Sequence, residues 1–102
     1  MVKHIILWQF KDELSEEEKQ QVRREMKPAL EGLVGQVPGL ISMHIQTEFL
    51  PSSNVDAMLE STLESPEALK NYGSHPAHVA VANSKVRPFT KLRTCIDYVV
   101  EE

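Results

Sequence analysis

From Val2 to Phe10 the chain alternates, with His4, Ile6, Trp8 and Phe10 on one side at a period of two and Lys3, Ile5, Leu7 and Gln9 on the other. That spacing predicts a β-strand, and both of its faces carry apolar side chains. After "SEEEK" the period becomes helical, and Val22, Met26, Ala29, Leu30, Leu33 and Val34 fall on one stripe. Ser15 is a good N-cap and Glu18 follows at the capping-box position, so the helix is expected to begin near Glu16. Gly35 and Pro38-Gly39 supply the stop, and Pro28 predicts a kink or a division near Lys27.

Alternation returns over Leu40 to Phe49, where Ile41, Met43 and Ile45 oppose Ser42, His44 and Gln46. The turn "LPSSN" leads to a third alternating run, Val55 to Leu63, so these two strands are expected to pair as a hairpin. Ser65 and Pro66 open a second helix that Gly73 can end. Lys91 to Val100 reads as the last strand, with Leu92, Thr94, Ile96, Tyr98 and Val100 on one side and Cys95 and Val99 on the other.

Strand, helix, strand, strand, helix, strand is the ferredoxin-like α+β order, a βαββαβ chain forming a four-stranded antiparallel sheet with helices on one face. At 102 residues it is expected to be one domain, 1–102. Helices on one side leave the other face of the sheet open. Some of Ile5, Leu7, Trp8, Phe10, Ile96 and Tyr98 would then be exposed as an apolar patch larger than monomers usually tolerate. The expected solution is a homodimer through the sheet faces, giving a dimeric α/β barrel. Strand curling or a ligand filling the face are the alternatives.

Composition narrows the classes. Hydrophobic residues are 41% and charged residues 25% of the chain, as in ordinary globular proteins. No apolar run approaches the ~20 residues that span a bilayer, so no membrane partner is expected. The N-terminal stretch lacks the pattern of a signal peptide, which makes the cytoplasm the expected location. A net charge of −4 disfavours nucleic acid as a partner. The single cysteine, Cys95, has no internal partner and is expected to be a small buried hydrophobe.

Candidate chemistry gathers in "YGSHPAHVAV", residues 72 to 81. A proline disfavours helical backbone in the residue before it, so His75 is expected to cap a new helix with Pro76 at its first position. His78 then lies in the first turn, where unpaired backbone N–H groups disfavour added positive charge and hold the imidazole toward its neutral form. A neutral His78 can accept a proton, and the phenol of Tyr72 can orient a carbonyl beside it. The alternative is structural: Tyr72 packs over the sheet, His78 bonds a backbone carbonyl and His75 caps the bend. No metal site is expected, because the His75–His78 pair would need His4 or a distant carboxylate to complete it. Asp56 and Glu60 read as the solvated face of a strand. No cofactor motif is present.

The stretches "VKHIILWQFKDELSEEE", "LESPEALKNYGSHPAHVAVANSKVRPF" and "CIDYVVEE" resemble the stress-responsive A/B barrel (Dabb) domain along essentially the whole chain. The resemblance implies a dimeric α+β barrel. One plant member is a polyketide cyclase that closes a linear chain by an aldol reaction. Its catalytic tyrosine and histidine match Tyr72 and His78, and a first-strand histidine matches His4. By this resemblance Tyr72 and His78 are the candidate catalytic pair and His4 is a candidate ligand contact; Ile6, Trp8, Met26, His75 and Val81 are the further candidate ligand contacts. The departure is along the first helix: the cyclase lines its tail pocket with aromatic residues there, and this chain offers Val22, Arg23 and Met26. Arg23 either favours a smaller or anionic ligand or is a solvated residue. The expected function is binding of a small, partly apolar carbonyl or phenolic molecule in the barrel, with or without cofactor-free cyclase- or lyase-type chemistry. A non-catalytic stress-responsive structural or interaction protein is the alternative.

Overall fold

A computed structural model describes residues 1–100. The strands β1 (Val2–Phe10), β2 (Leu40–Gln46), β3 (Ala57–Leu63) and β4 (Thr90–Val99) form one sheet in the order β2-β3-β1-β4. All three pairings are antiparallel. The helices are α1 (Glu16–Glu31), α2 (Pro66–Ser74) and α3 (Pro76–Val81). This is the ferredoxin-like α+β fold, with the second helix broken in two.

The period-two pattern of β1 becomes its two faces. Val2, His4, Ile6, Trp8 and Phe10 are buried under the helices, and the residues between them are half-buried on the open side. Trp8 and Phe10 therefore belong to the core and not to the uncovered patch. Val22, Met26 and Leu30 of α1 pack on this face, at the spacing the helical stripe requires. Leu33 stays buried beyond the helix end, whereas Val34 turns out to solvent.

Local signals set the boundaries. Ser15 and Glu18 form the reciprocal capping box, with bonds of 3.0 and 3.1 Å. Pro28 does not divide α1, which runs on to Glu31. Lying in the last turn, it removes one ladder bond close to where the ladder ends anyway. On β2, a register shift between Leu40 and Ser42 makes Leu40 the core residue and leaves Ile41 40% exposed, against the simple alternation. The strands are also shorter than the apolar pattern: β2 stops at Gln46, and β3 starts at Ala57. Asp56, just before β3, accepts a bond from the Phe10 N–H at 2.8 Å and donates its own N–H to the Trp8 carbonyl at 2.8 Å. Its carboxylate thus closes the sheet end and is not part of a solvated face.

The open face runs across β1 and β4, where Ile5 pairs with Ile96 and Lys3 with Tyr98. Leu92, Ile96 and Tyr98 are each about half exposed there. No helix among the described residues is long and apolar enough to cross a membrane.

Candidate functional site

His75 has the extended backbone expected before a proline, with φ −64° and ψ 133°. Its Nδ1 accepts the Ala77 N–H at 3.1 Å, capping α3. The bend it creates folds α3 back so that His78 meets Tyr72 on α2, with ring centroids 4.3 Å apart. Across the sheet, the His4 ring stands edge-on to Tyr72 at 6.0 Å. All three line a cavity of about 390 Å³ between the sheet and the helices of a single chain.

The cavity is apolar at its base, where Ile6, Trp8, Leu30 and Leu59 form the wall. Thr90, Arg87 and Arg93 add polar groups. After α3 the chain widens into a π-helical turn, Ala82–Val86, and then a short 3₁₀ turn, Arg87–Phe89. Ala82, Val86 and Arg87 reach the cavity from these turns. A π turn carries an extra residue per turn and so re-aims side chains that a regular helix would point elsewhere.

The hydrogen bonds fix which atoms are available. The Nδ1 of His78 lies 3.1 Å from the Gly73 carbonyl, an acceptor only, so Nδ1 carries the proton and Nε2 of the neutral ring is a lone pair. Burial pushes the His78 pKa down. The Gly73 carbonyl opposes that shift, and Arg87, His4 and Arg93 add to it. Tyr72 is 2% exposed and its hydroxyl has no hydrogen-bond partner among the described residues. Burial pushes its phenol far above the ordinary range, with Arg93 pulling weakly the other way, so the hydroxyl stays a donor. The Nδ1 of His4 lies 2.5 Å from the Asp97 carboxylate, which leaves its Nε2 as the other ring nitrogen.

Of the residues singled out in the sequence, His4, Ile6, Trp8, Tyr72 and His78 converge on this cavity. Met26 is fully buried in the core, His75 is committed to its cap, and Val81 packs against the core; none of these three lines the cavity. Arg23 does not line it either. Its Nε donates to the Asp56 carbonyl at 3.1 Å, and its guanidinium lies 5.4 Å from the centre of the Phe10 ring. Arg87, Arg93 and Thr90 also line the cavity and have no signal in the sequence, because single residues in a turn and on an exposed strand carry no pattern.

His4, Cys95 and Asp97 have potential metal-ligand atoms within 4.8 Å of one another. Cys95 is exposed, not buried as expected, because β4 is the edge strand and no helix covers it. Partial desolvation of the thiol against its neighbours and the adjacent Asp97 push its pKa up, which disfavours the thiolate a metal would need.

The description "Stress responsive A/B Barrel Domain" (Dabb) matches residues 2–100. The chain belongs to the Dabb family. Among curated proteins, this Dabb chain is similar to olivetolic acid cyclase of Cannabis sativa, 29% identical over 100 residues that cover 95% of this chain and 94% of the cyclase. Among solved structures it is similar to a dimeric protein of ferredoxin-like fold from Bacteroides fragilis, with a TM-score of 0.88 and 29% identity over 95% of this chain and 93% of that one. An Arabidopsis thaliana protein is similar at a TM-score of 0.76, with 28% identity over 100% of this chain and 97% of that one.

Proposed function

We propose that this Dabb protein binds a small, partly apolar carbonyl or phenolic molecule in the cavity under α2 and α3, and performs cofactor-free acid–base chemistry on it. The observation that carries this reading is the buried Tyr72 hydroxyl, which has no hydrogen-bond partner among the described residues and lies beside a His78 whose Nδ1 is the nitrogen engaged by the backbone. A buried polar group is ordinarily paired, and a ligand carbonyl oxygen would pair this one. The likeness to a cyclase supports the same reading.

In the catalytic cycle the Tyr72 hydroxyl donates to the carbonyl oxygen. His78 Nε2 takes a proton from the adjacent carbon, and the C–H electron pair moves to form the enolate. The enolate carbon then attacks a second carbonyl, and the new alkoxide recovers the proton from His78. His4 lines the cavity opposite, with Ile6 and Trp8 holding the apolar part of the ligand. The working molecule is a homodimer through the open sheet faces, which would cover Ile96 and Tyr98; the dimeric Bacteroides relative supports this. The cavity lies within one chain, so in this reading each copy holds its own site.

The test is an NMR titration with phenols, β-diketones and short acyl compounds on wild type and His78→Ala. Saturable shifts at His78, Tyr72 and His4 that weaken in the variant are expected, followed by turnover of the bound class. Absence of saturation across the panel would leave the residues as packing only, and the protein as a structural or interaction module.

A further inference from the structure

The lining of the cavity is of two kinds: Ile6, Trp8, Leu30 and Leu59 are buried and apolar, whereas Arg87 and Arg93 are charged and exposed. They arrive from different elements: Arg87 opens the 3₁₀ turn after the π turn, and Arg93 sits on β4 directly across from Trp8. Neither pairs with a carboxylate among the described residues. Arg87 donates to the neutral side-chain oxygen of Asn83 at 2.5 Å. Several other cations are paired, Arg23 with Asp56, Lys27 with Glu31, Lys85 with Glu25 and Lys91 with Asp12, and Arg24, which bonds Gln21, lies away from the cavity. Asp97, two strand steps along from Arg93 on the same face, accepts from His4 and from the Cys95 thiol instead.

Two guanidinium groups without carboxylate partners beside a buried, partnerless phenol describe an unfilled set of donors. A neutral carbonyl would satisfy Tyr72 alone. We propose that the ligand of this cavity carries a carboxylate, held by Arg87 and Arg93 at the mouth, with its carbonyl or phenolic oxygen against Tyr72 and its apolar body on Trp8 and Ile6. Keto acids and hydroxyaryl acids have that layout. The planar guanidinium fork matches a carboxylate in two-point geometry, which a single lysine would not supply. This inference rests on the proposed function and names its ligand class.

The experiment compares matched probes by calorimetry or NMR: salicylate against salicylamide, and phenylpyruvate against its amide. Each pair has nearly the same shape and differs by the charge. Wild type, Arg87→Gln and Arg93→Gln are measured, with Arg87→Lys and Arg93→Lys as controls that keep the charge. At least one acid is expected to bind about tenfold more tightly than its amide, and either Gln variant to remove most of that preference while leaving the amide unchanged. The Lys variants should restore part of it. Both arginines are exposed, so unfolding temperatures close to wild type are expected and confirm that the comparison is of folded proteins. Acids and amides binding alike, or an acid preference that survives both Gln substitutions, would overturn the carboxylate assignment while leaving the carbonyl site intact. Failure of every probe to bind would overturn the assignment and the site together.

Discussion

His4 and Asp97 stand directly across from one another on β1 and β4, with Nδ1 2.5 Å from the carboxylate Oδ1. They are 93 residues apart in the chain, so the contact exists only once the first and last strands pair. It fixes the orientation of the His4 ring at the cavity wall. Asp97→Ala, on the exposed edge strand, should therefore leave the fold intact but free the ring. Affinity for the best probe is expected to fall about fivefold, the equivalent of one net hydrogen bond. Unchanged affinity would make the pair a surface contact with no part in binding.

Tyr72→Phe separates packing from the hydroxyl. The phenol oxygen is buried without a partner among the described residues, a state that costs about 1–3 kcal/mol. Removing it should leave the ligand-free protein as stable as wild type or more so, while binding of carbonyl probes drops. Thermal unfolding and titration read the two effects separately. A clear loss of stability would mean the hydroxyl is paired in solution.

His78 gives a pH prediction with a definite sign. Burial, opposed by the Gly73 carbonyl and reinforced by Arg87, His4 and Arg93, places its folded-state pKa below the ordinary value of 6.5. As pH falls through 6.5 the unfolded chain takes up a proton before the folded one does, so stability is lost in the window between the two values and is fully present above it. Urea unfolding at pH 7.5 and 5.0 should show a larger drop for wild type than for His78→Gln. An NMR titration midpoint at or above 6.5 would remove the basis for a ready proton acceptor.

Ile96→Asp tests the open face. Ile96 is 49% exposed and pairs with Ile5 beside it. If two copies join there, a charge at this position must be desolvated without a partner, and sedimentation should shift from dimer to monomer at micromolar concentration. An unshifted dimer would place the contact elsewhere.

Gly39→Ala tests a turn the sequence marked as Pro-Gly. Gly39 has φ +84°, and an added Cβ would come 2.7 Å from the Ala68 Cβ on α2. Both effects oppose the substitution, so unfolding should show a loss of about 1–2 kcal/mol or more. Gly35, at φ +92° with nothing near it, would suffer the backbone effect alone.

The strands, the Ser15 capping box and the His75-Pro76 break were legible because each depends on neighbours within a few residues. The bulge at Ile41 was not, because it depends on register with β3. The cavity was half legible. Tyr72, His75 and His78 announce themselves in one decapeptide, but Arg87 and Arg93 acquire meaning only when a turn and an edge strand converge. Met26 and Val81 misled for the opposite reason: a helical stripe says that a residue faces inward, and not whether it meets a ligand or other side chains.

The π turn at Ala82–Val86 adds a vulnerability of its own. Each residue of a regular helix rotates its successor by about 100°. Deleting one residue from ANSKV would let the turn relax to an ordinary helix with its flanks still in phase, so Arg87, Tyr72 and His78 would keep their places while the wall that Ala82 and Val86 present to the cavity was reshaped. Ligand preference and proton transfer are thus set by different stretches of chain. A change of a single residue in segment length could retune the first and spare the second.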